Sequence, residues 1–158
     1  MIPKRHPAAM SGIVFLLIMR TLFAIFWLAA GVNKINSGWV TSDILKEVFL
    51  QRLTELPPDS FAVLYLSSFA IPLHTLIAWI ITLGELYSAI GLLIGLTTRW
   101  SAGVSLFILI NFAIGGYYDA SLIPFFILVA LFIYYPSGRW LGFDKSLHEK
   151  YPSSIWFR

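Results

Sequence analysis

The sequence predicts an all-α membrane protein, a bundle of four transmembrane helices with an amphipathic helix in the outer loop between spans 1 and 2. Three observations carry that expectation. Hydrophobic residues fill 58% of the 158 positions and charged residues only 12%, far from the balance that a surface in water requires. Long apolar runs occupy residues 13–30, 69–96, 100–114 and 121–135. None of them alternates apolar and polar residues as a barrel strand would, and in hydrocarbon only helices and closed barrels satisfy their own backbone.

Span 1, about 13–31, is apolar except for Arg20 and Thr21. Lys4, Arg5 and His6 before it have the look of a signal-peptide n-region. The run nevertheless exceeds an h-region, holds Arg20 midway and ends in "AAGVNK" without a small-x-small cleavage site, so it reads as a retained span. The segment that follows contains "DILKEVFLQRLTEL", which places Ile44, Leu45, Val48, Phe49, Leu53 and Leu56 on one helical face and Asp43, Lys46, Glu47, Gln51, Arg52 and Glu55 away from it. Pro57 and Pro58 stop it. Such a helix lies on the outer leaflet or caps the bundle, or else offers a docking face to another subunit; Trp39 ahead of it suits an interfacial anchor.

Span 2, about 69–96, carries His74 and Glu85. Spans 3 and 4, about 100–117 and 120–136, have apolar cores shorter than the ~20 residues a crossing takes. They borrow Tyr117, Tyr118 and flanking residues, or the bilayer thins around them. The whole chain, 1–158, reads as a single domain. In a four-span arrangement Lys4, Arg5, Arg99, Arg139, Lys145, Lys150 and Arg158 fall on one side, against Lys34, Lys46 and Arg52 on the other. The Lys/Arg excess sets orientation, so both termini are expected in the cytoplasm. The net charge of +3 then reflects topology and calls for no nucleic-acid partner. The absence of cysteine excludes dithiol electron transfer, iron–sulfur ligation and zinc thiolate sites. No metal site and no nucleotide-binding glycine fingerprint is expected.

The first span ends "GVNK" after its internal Arg20, the second reads "GELYSAIGLLIGLTTR", and the chain leaves its last span with "PSGRWLGFD". This combination resembles the DoxX family of small four-helix membrane proteins, relatives of the DoxD-like subunit of thiosulfate:quinone oxidoreductase. The resemblance implies a four-span bundle in a bacterial inner membrane and an association with quinone-linked redox metabolism, with quinone as the implied cofactor and other membrane subunits, besides lipid, as implied partners.

An ionisable group at the centre of a span costs at least ~2.5 kcal/mol on insertion scales, so each needs a partner or a function. At ~1.5 Å per residue, Arg20 lies roughly 10 Å above Ile13, Glu85 roughly 16 Å above Leu96 and Asn111 roughly 16 Å above Trp100. The matched depths predict contact among the three. Two readings follow: a buried polar clasp that sets helix register, or a quinone or proton site with Glu85 and Arg20 as its catalytic candidates. Asn111, Asn33 and Lys34 are the candidates for cofactor contact, although Asn33 and Lys34 at the end of the first span most simply snorkel and cap. Arg139 with Asp144 is expected to stitch the tail to the bundle base. His74 is a lone histidine, since His6 and His148 fall on the opposite side; a haem held by two histidines is excluded, and a single axial bond to a pigment is the remaining metal reading. Trp27, Trp79, Trp100, Trp140 and Trp156 supply belt and packing material. Two function classes survive: a quinone-interacting redox subunit that takes electrons from a partner, and a non-catalytic accessory subunit of a larger respiratory, photosynthetic or transport complex. A transporter is the weaker third, for want of polar residues to line a path.

Overall fold

A computed structural model describes residues 7–157. Lys4, Arg5 and Arg158, on which part of the orientation reading rests, and His6 lie outside the described residues. Regular structure among the described residues is helical throughout. The first helix, α1 (Pro7–Asn36), runs for 30 residues, opened by a proline at a position whose N–H has no helical partner in any case. After a turn comes α2 (Ile44–Glu55), ended at extended Leu56 ahead of Pro57. The short α3 (Phe61–Tyr65), with the Ser60 side chain accepting from the Val63 N–H, passes into a π-helical turn, Leu66–Ala70. Then follow α4 (His74–Ile94), α5 (Thr98–Ile114), α6 (Leu122–Tyr134), and a tail of two short helices, α7 (Ser137–Trp140) and α8 (Phe143–Lys150).

α1 packs along α4, α4 against α5, and α5 against α6. The main core joins Phe23, Ala24 and Trp27 of α1 to Ala89 and Leu92 of α4, Ile108 of α5 and Phe132 of α6. A second core forms where Leu45 and Phe49 of α2 settle on Leu66, Ala70 and Ala78. Of the two placements open to the amphipathic helix, the structure thus shows a cap on the bundle. Ile44, expected on its apolar face, is exposed instead.

Met10–Asn36 and His74–Ile94 are long and apolar enough to cross a membrane; Phe61–Ala70, Thr98–Ile114 and Leu122–Tyr134 are shorter apolar helices. α1 presents Val14, Phe15, Ile18, Leu22 and Ile25 outward, each more than half exposed. In water such a continuous apolar stripe would drive association, whereas against lipid it is the ordinary outer face of a span. The second apolar run departs from the expected single helix over 69–96. It breaks at residues 71–73 because Pro72 has no N–H to donate and its ring crowds the preceding turn; the Leu73 N–H bonds back to the Phe69 carbonyl at 3.2 Å and helical pairing restarts at His74. The part before the break joins the cap.

Candidate functional site

The bundle buries charge at both of its ends. At the cap end, the Glu85 side chain, 1% exposed, receives the Lys34 ammonium at 2.7 Å on Oε1 and 2.9 Å on Oε2. Local sequence puts the lysine there. Gly31, one turn earlier on α1, lets α4 approach so closely that a Cβ at this position would lie 2.8 Å from Leu86 Cδ2 and 3.6 Å from Glu85 Cβ, and Lys34 then falls on the same face of α1. The turn after α1 folds Trp39 back, its N–H on the Lys34 carbonyl at 2.9 Å and its ring centroid 5.1 Å from the ammonium. The ammonium has three donors and two go to Glu85.

Lys34 forms one edge of a cavity of about 300 Å³ between the cap, α4 and α5. Its walls are aliphatic and aromatic, with Trp39, Phe49, Phe69 and Phe112 among them, and Tyr65 and Asn111 bring polar atoms to it. The Tyr65 hydroxyl donates to Asn111 Oδ1 at 2.9 Å, and Asn111 Nδ2 donates to the Phe107 carbonyl at 2.8 Å. α2 is tied down over this chamber at three points. Tyr117 donates to the Val48 carbonyl at 3.3 Å, Arg52 donates to the Gly116 carbonyl, and His74 Nε2 meets Asp43 Oδ1 at 2.9 Å. A flat, largely apolar molecule with hydrogen-bond acceptors at its edge matches such a space.

At the tail end, Arg20 donates to the Ser137 and Leu141 carbonyls, both at 2.7 Å. Asp144, also buried, accepts the Thr97 N–H at 2.6 Å and the Thr98 N–H at 2.9 Å, while its own N–H bonds to the Gly95 carbonyl at 2.9 Å. A carboxylate on the first amides of α5 satisfies donors that the helix leaves open, and it holds Thr97 in the left-handed region at φ 47°, a conformation that costs a β-branched residue ~1–3 kcal/mol. The segments meet at glycines. A Cβ on Gly138 would lie 2.1 Å from Thr98 Oγ1 and 2.3 Å from Asp144 Oδ2, and one on Gly95 would lie 2.7 Å from the Gly142 Cα. The "GLTTR" and "PSGRWLGFD" stretches are thus the two halves of one knot around Arg20.

The expected contact of Arg20, Glu85 and Asn111 does not form. The depth match sets Ile13 level with Leu96, whereas the observed register sets Gly31 beside Glu85 and Arg20 beside Gly95: α1 runs on past the tail-side end of α4, and Arg20 lies roughly 15 Å from Glu85 along it. Lys34 turns inward rather than snorkelling, because Glu85 offers it a buried counter-ion. Asn33 is exposed and does not line the chamber. Asp144 bonds the start of α5, and Arg139 is exposed rather than paired with it. Both ring nitrogens of His74 face acceptors, Nδ1 the Ile71 carbonyl at 2.9 Å and Nε2 the Asp43 carboxylate, which leaves none for a pigment. Tyr65, Tyr117 and Trp39 were not singled out for the chamber by sequence; only their position beside a helix end or proline break hinted at it. Among the described residues no group of three His, Asp or Glu side chains could hold a metal ion.

No curated protein and no solved structure matches the chain. The DoxX family model matches residues 15–117, from α1 through the end of α5, a stretch that contains Arg20, Lys34, Glu85 and Asn111 and stops short of the tail. That match covers well over half of the sequence, and on it the chain belongs to the DoxX family.

Proposed function

We propose that this chain is an integral membrane subunit of quinone-linked redox metabolism and that the chamber under α2 takes a quinone headgroup. The supporting observation is the pairing of an apolar, aromatic-walled cavity of about 300 Å³ with polar groups at its edges, Lys34 on one side and Tyr65 with Asn111 on another. When bound, a quinone would supply a two-electron, two-proton acceptor, with the electrons drawn from a partner subunit. Lys34 would hold one carbonyl oxygen with its remaining N–H, and Tyr65, its single O–H turned from Asn111, would hold the other. Glu85 keeps the ammonium aimed, and would hand Lys34 a proton only after taking one up from water, so it acts behind the first donor. Arg20 belongs to the tail knot and takes no part.

In this reading α1, α4, α5 and α6 are the four spans of a bacterial inner-membrane protein and α2 caps the bundle on the outer side. α5 and α6, 17 and 13 residues long, reach only about 26 and 20 Å at ~1.5 Å per residue, so the bilayer thins beside them or their flanking aromatics complete the crossing. A cysteine at Ser42 should then react with an impermeant thiol reagent in intact cells and one at Ser153 should not; the absence of native cysteine keeps the readout clean, and the reverse pattern overturns the orientation.

Substituting Glu85→Gln keeps shape and an acceptor for Lys34 but removes the titratable proton. Assembly should stay nearly intact while quinone reduction by the complex that contains this chain falls by ~10²–10⁴-fold. An unchanged rate in the assembled variant rejects the redox site and favours the second reading, a non-catalytic accessory subunit.

A further inference from the structure

A second cavity, of about 330 Å³, lies at the tail end, lined by Pro136, Arg139, Trp140, Lys145, His148 and Glu149. Its electrostatics differ from those of the chamber. Among the described residues neither the Arg139 guanidinium nor the Lys145 ammonium makes an ion pair or side-chain hydrogen bond, even with Glu149 of the same lining, and His148 Nδ1 is buried without a hydrogen-bond partner. Two unpaired cations and an unpaired ring nitrogen around one opening, against a single carboxylate, leave a net positive pocket whose donors have no acceptor within the protein. A guanidinium presents a fork that fits two oxygens of one anion, and the ammonium adds a compact charge beside it.

The surroundings identify the carrier of the anion. Tyr134, Leu141 and Phe143, which flank α7 on either side, are 74%, 64% and 61% exposed. Apolar side chains so bare, next to charged ones and to the Trp140 indole, place this tail where hydrocarbon meets headgroups. We propose that the cavity binds the phosphate headgroup of an anionic phospholipid in the leaflet where α7 and α8 lie, with Arg139 and Lys145 on the phosphate and the acyl chains beside Leu141 and Phe143. Basic pockets at the ends of spans recognise lipid headgroups by this chemistry. The tail that receives the lipid is the one that carries Ser137, Leu141 and Asp144 to the Arg20 knot, so the bound lipid would hold the knot closed.

The test uses the full chain, delipidated in a neutral detergent, with retained lipid counted by native mass spectrometry. Phosphatidylglycerol should be retained at least ~10-fold more tightly than phosphatidylcholine of the same chain length, and Arg139→Gln with Lys145→Gln should weaken it by roughly fivefold for each charge removed. Both side chains are exposed, so the lipid-free variant should melt with its parent. Glu149→Gln removes the opposing charge and should strengthen retention. Equal retention of the two lipids, full retention by the double variant, or no gain in Glu149→Gln would each overturn the proposal. Displacement of phosphatidylglycerol by an equal concentration of inorganic phosphate would reject the lipid and assign the pocket to the free anion.

Discussion

Asp144 at one end of the bundle and Glu85 at the other are carboxylates of nearly equal burial, 4% and 1% exposed, each close to a cation carried by α1. Around Asp144 every partner is backbone: two amides take its oxygens, two carbonyls take Arg20, and glycines at 95, 138 and 142 bring the segments together with no room to spare. Around Glu85 the partner is a side chain, Lys34, and beyond that side chain lies open volume. Residue type therefore does not tell a structural charge from one free to act. What separates them is whether the partners can be replaced and whether space adjoins the pair.

That contrast can be broken by substitution. The largest effect is expected at the knot. Arg20→Met with Asp144→Leu removes both charges together, yet it strands the amides of Thr97 and Thr98 and two carbonyls, because backbone groups cannot be exchanged along with the side chains. A loss of ~3–5 kcal/mol in thermal or denaturant unfolding is expected, with no rescue relative to the single variants. Recovery in the double variant would show that the knot is an ordinary ion pair.

The chamber pair should behave in the opposite sense. Lys34→Met alone leaves Glu85 charged and buried, for a loss of ~3–5 kcal/mol, whereas adding Glu85→Leu should return most of it, since apolar replacements of both members of a buried pair are often tolerated. Additive losses in the same unfolding series would mean that further groups depend on Glu85. The smallest effect is expected for Tyr65→Phe, which deletes one hydrogen bond to Asn111 and should cost ~1 kcal/mol of stability. If the chamber holds a quinone, its affinity should fall by clearly more than the stability does; parallel small losses would make Tyr65 a packing residue.

The apolar runs announced α1, α5 and α6, and the helical face of "DILKEVFLQRLTEL" announced α2, because burial in lipid or under a cap leaves a periodic signature that local sequence carries by itself. Pro72 also stood in view, and the break it makes follows from its missing N–H. The pairings were harder to read. Lys34 finds Glu85 only through the register of α1 on α4, which Gly31 fixes by close approach; levelling Ile13 with Leu96, with no overhang of α1 past α4, brings Arg20 towards the depth of Glu85 in place of Lys34. Asp144 does stitch the tail to the bundle base as its position suggested, but without Arg139: the amides at the start of α5 compete better for a buried carboxylate than a guanidinium left in water. The chamber itself had no local signature, since its walls come from five separate segments.

α1 reaches both ends without interruption. Arg20 and Lys34 are 14 positions apart on that one helix, about 21 Å along its axis and, at 3.6 residues per turn, within roughly 40° of the same face. The helix is thus a shaft keyed at two places. Rolling it by a single residue would swing the two cations through about 100° and unseat both at once, so neither the grip on the tail nor the charge beside the chamber can change by torsion alone. Whatever moves Lys34 must be motion of its own side chain or of α2 above it, while the shaft stays locked.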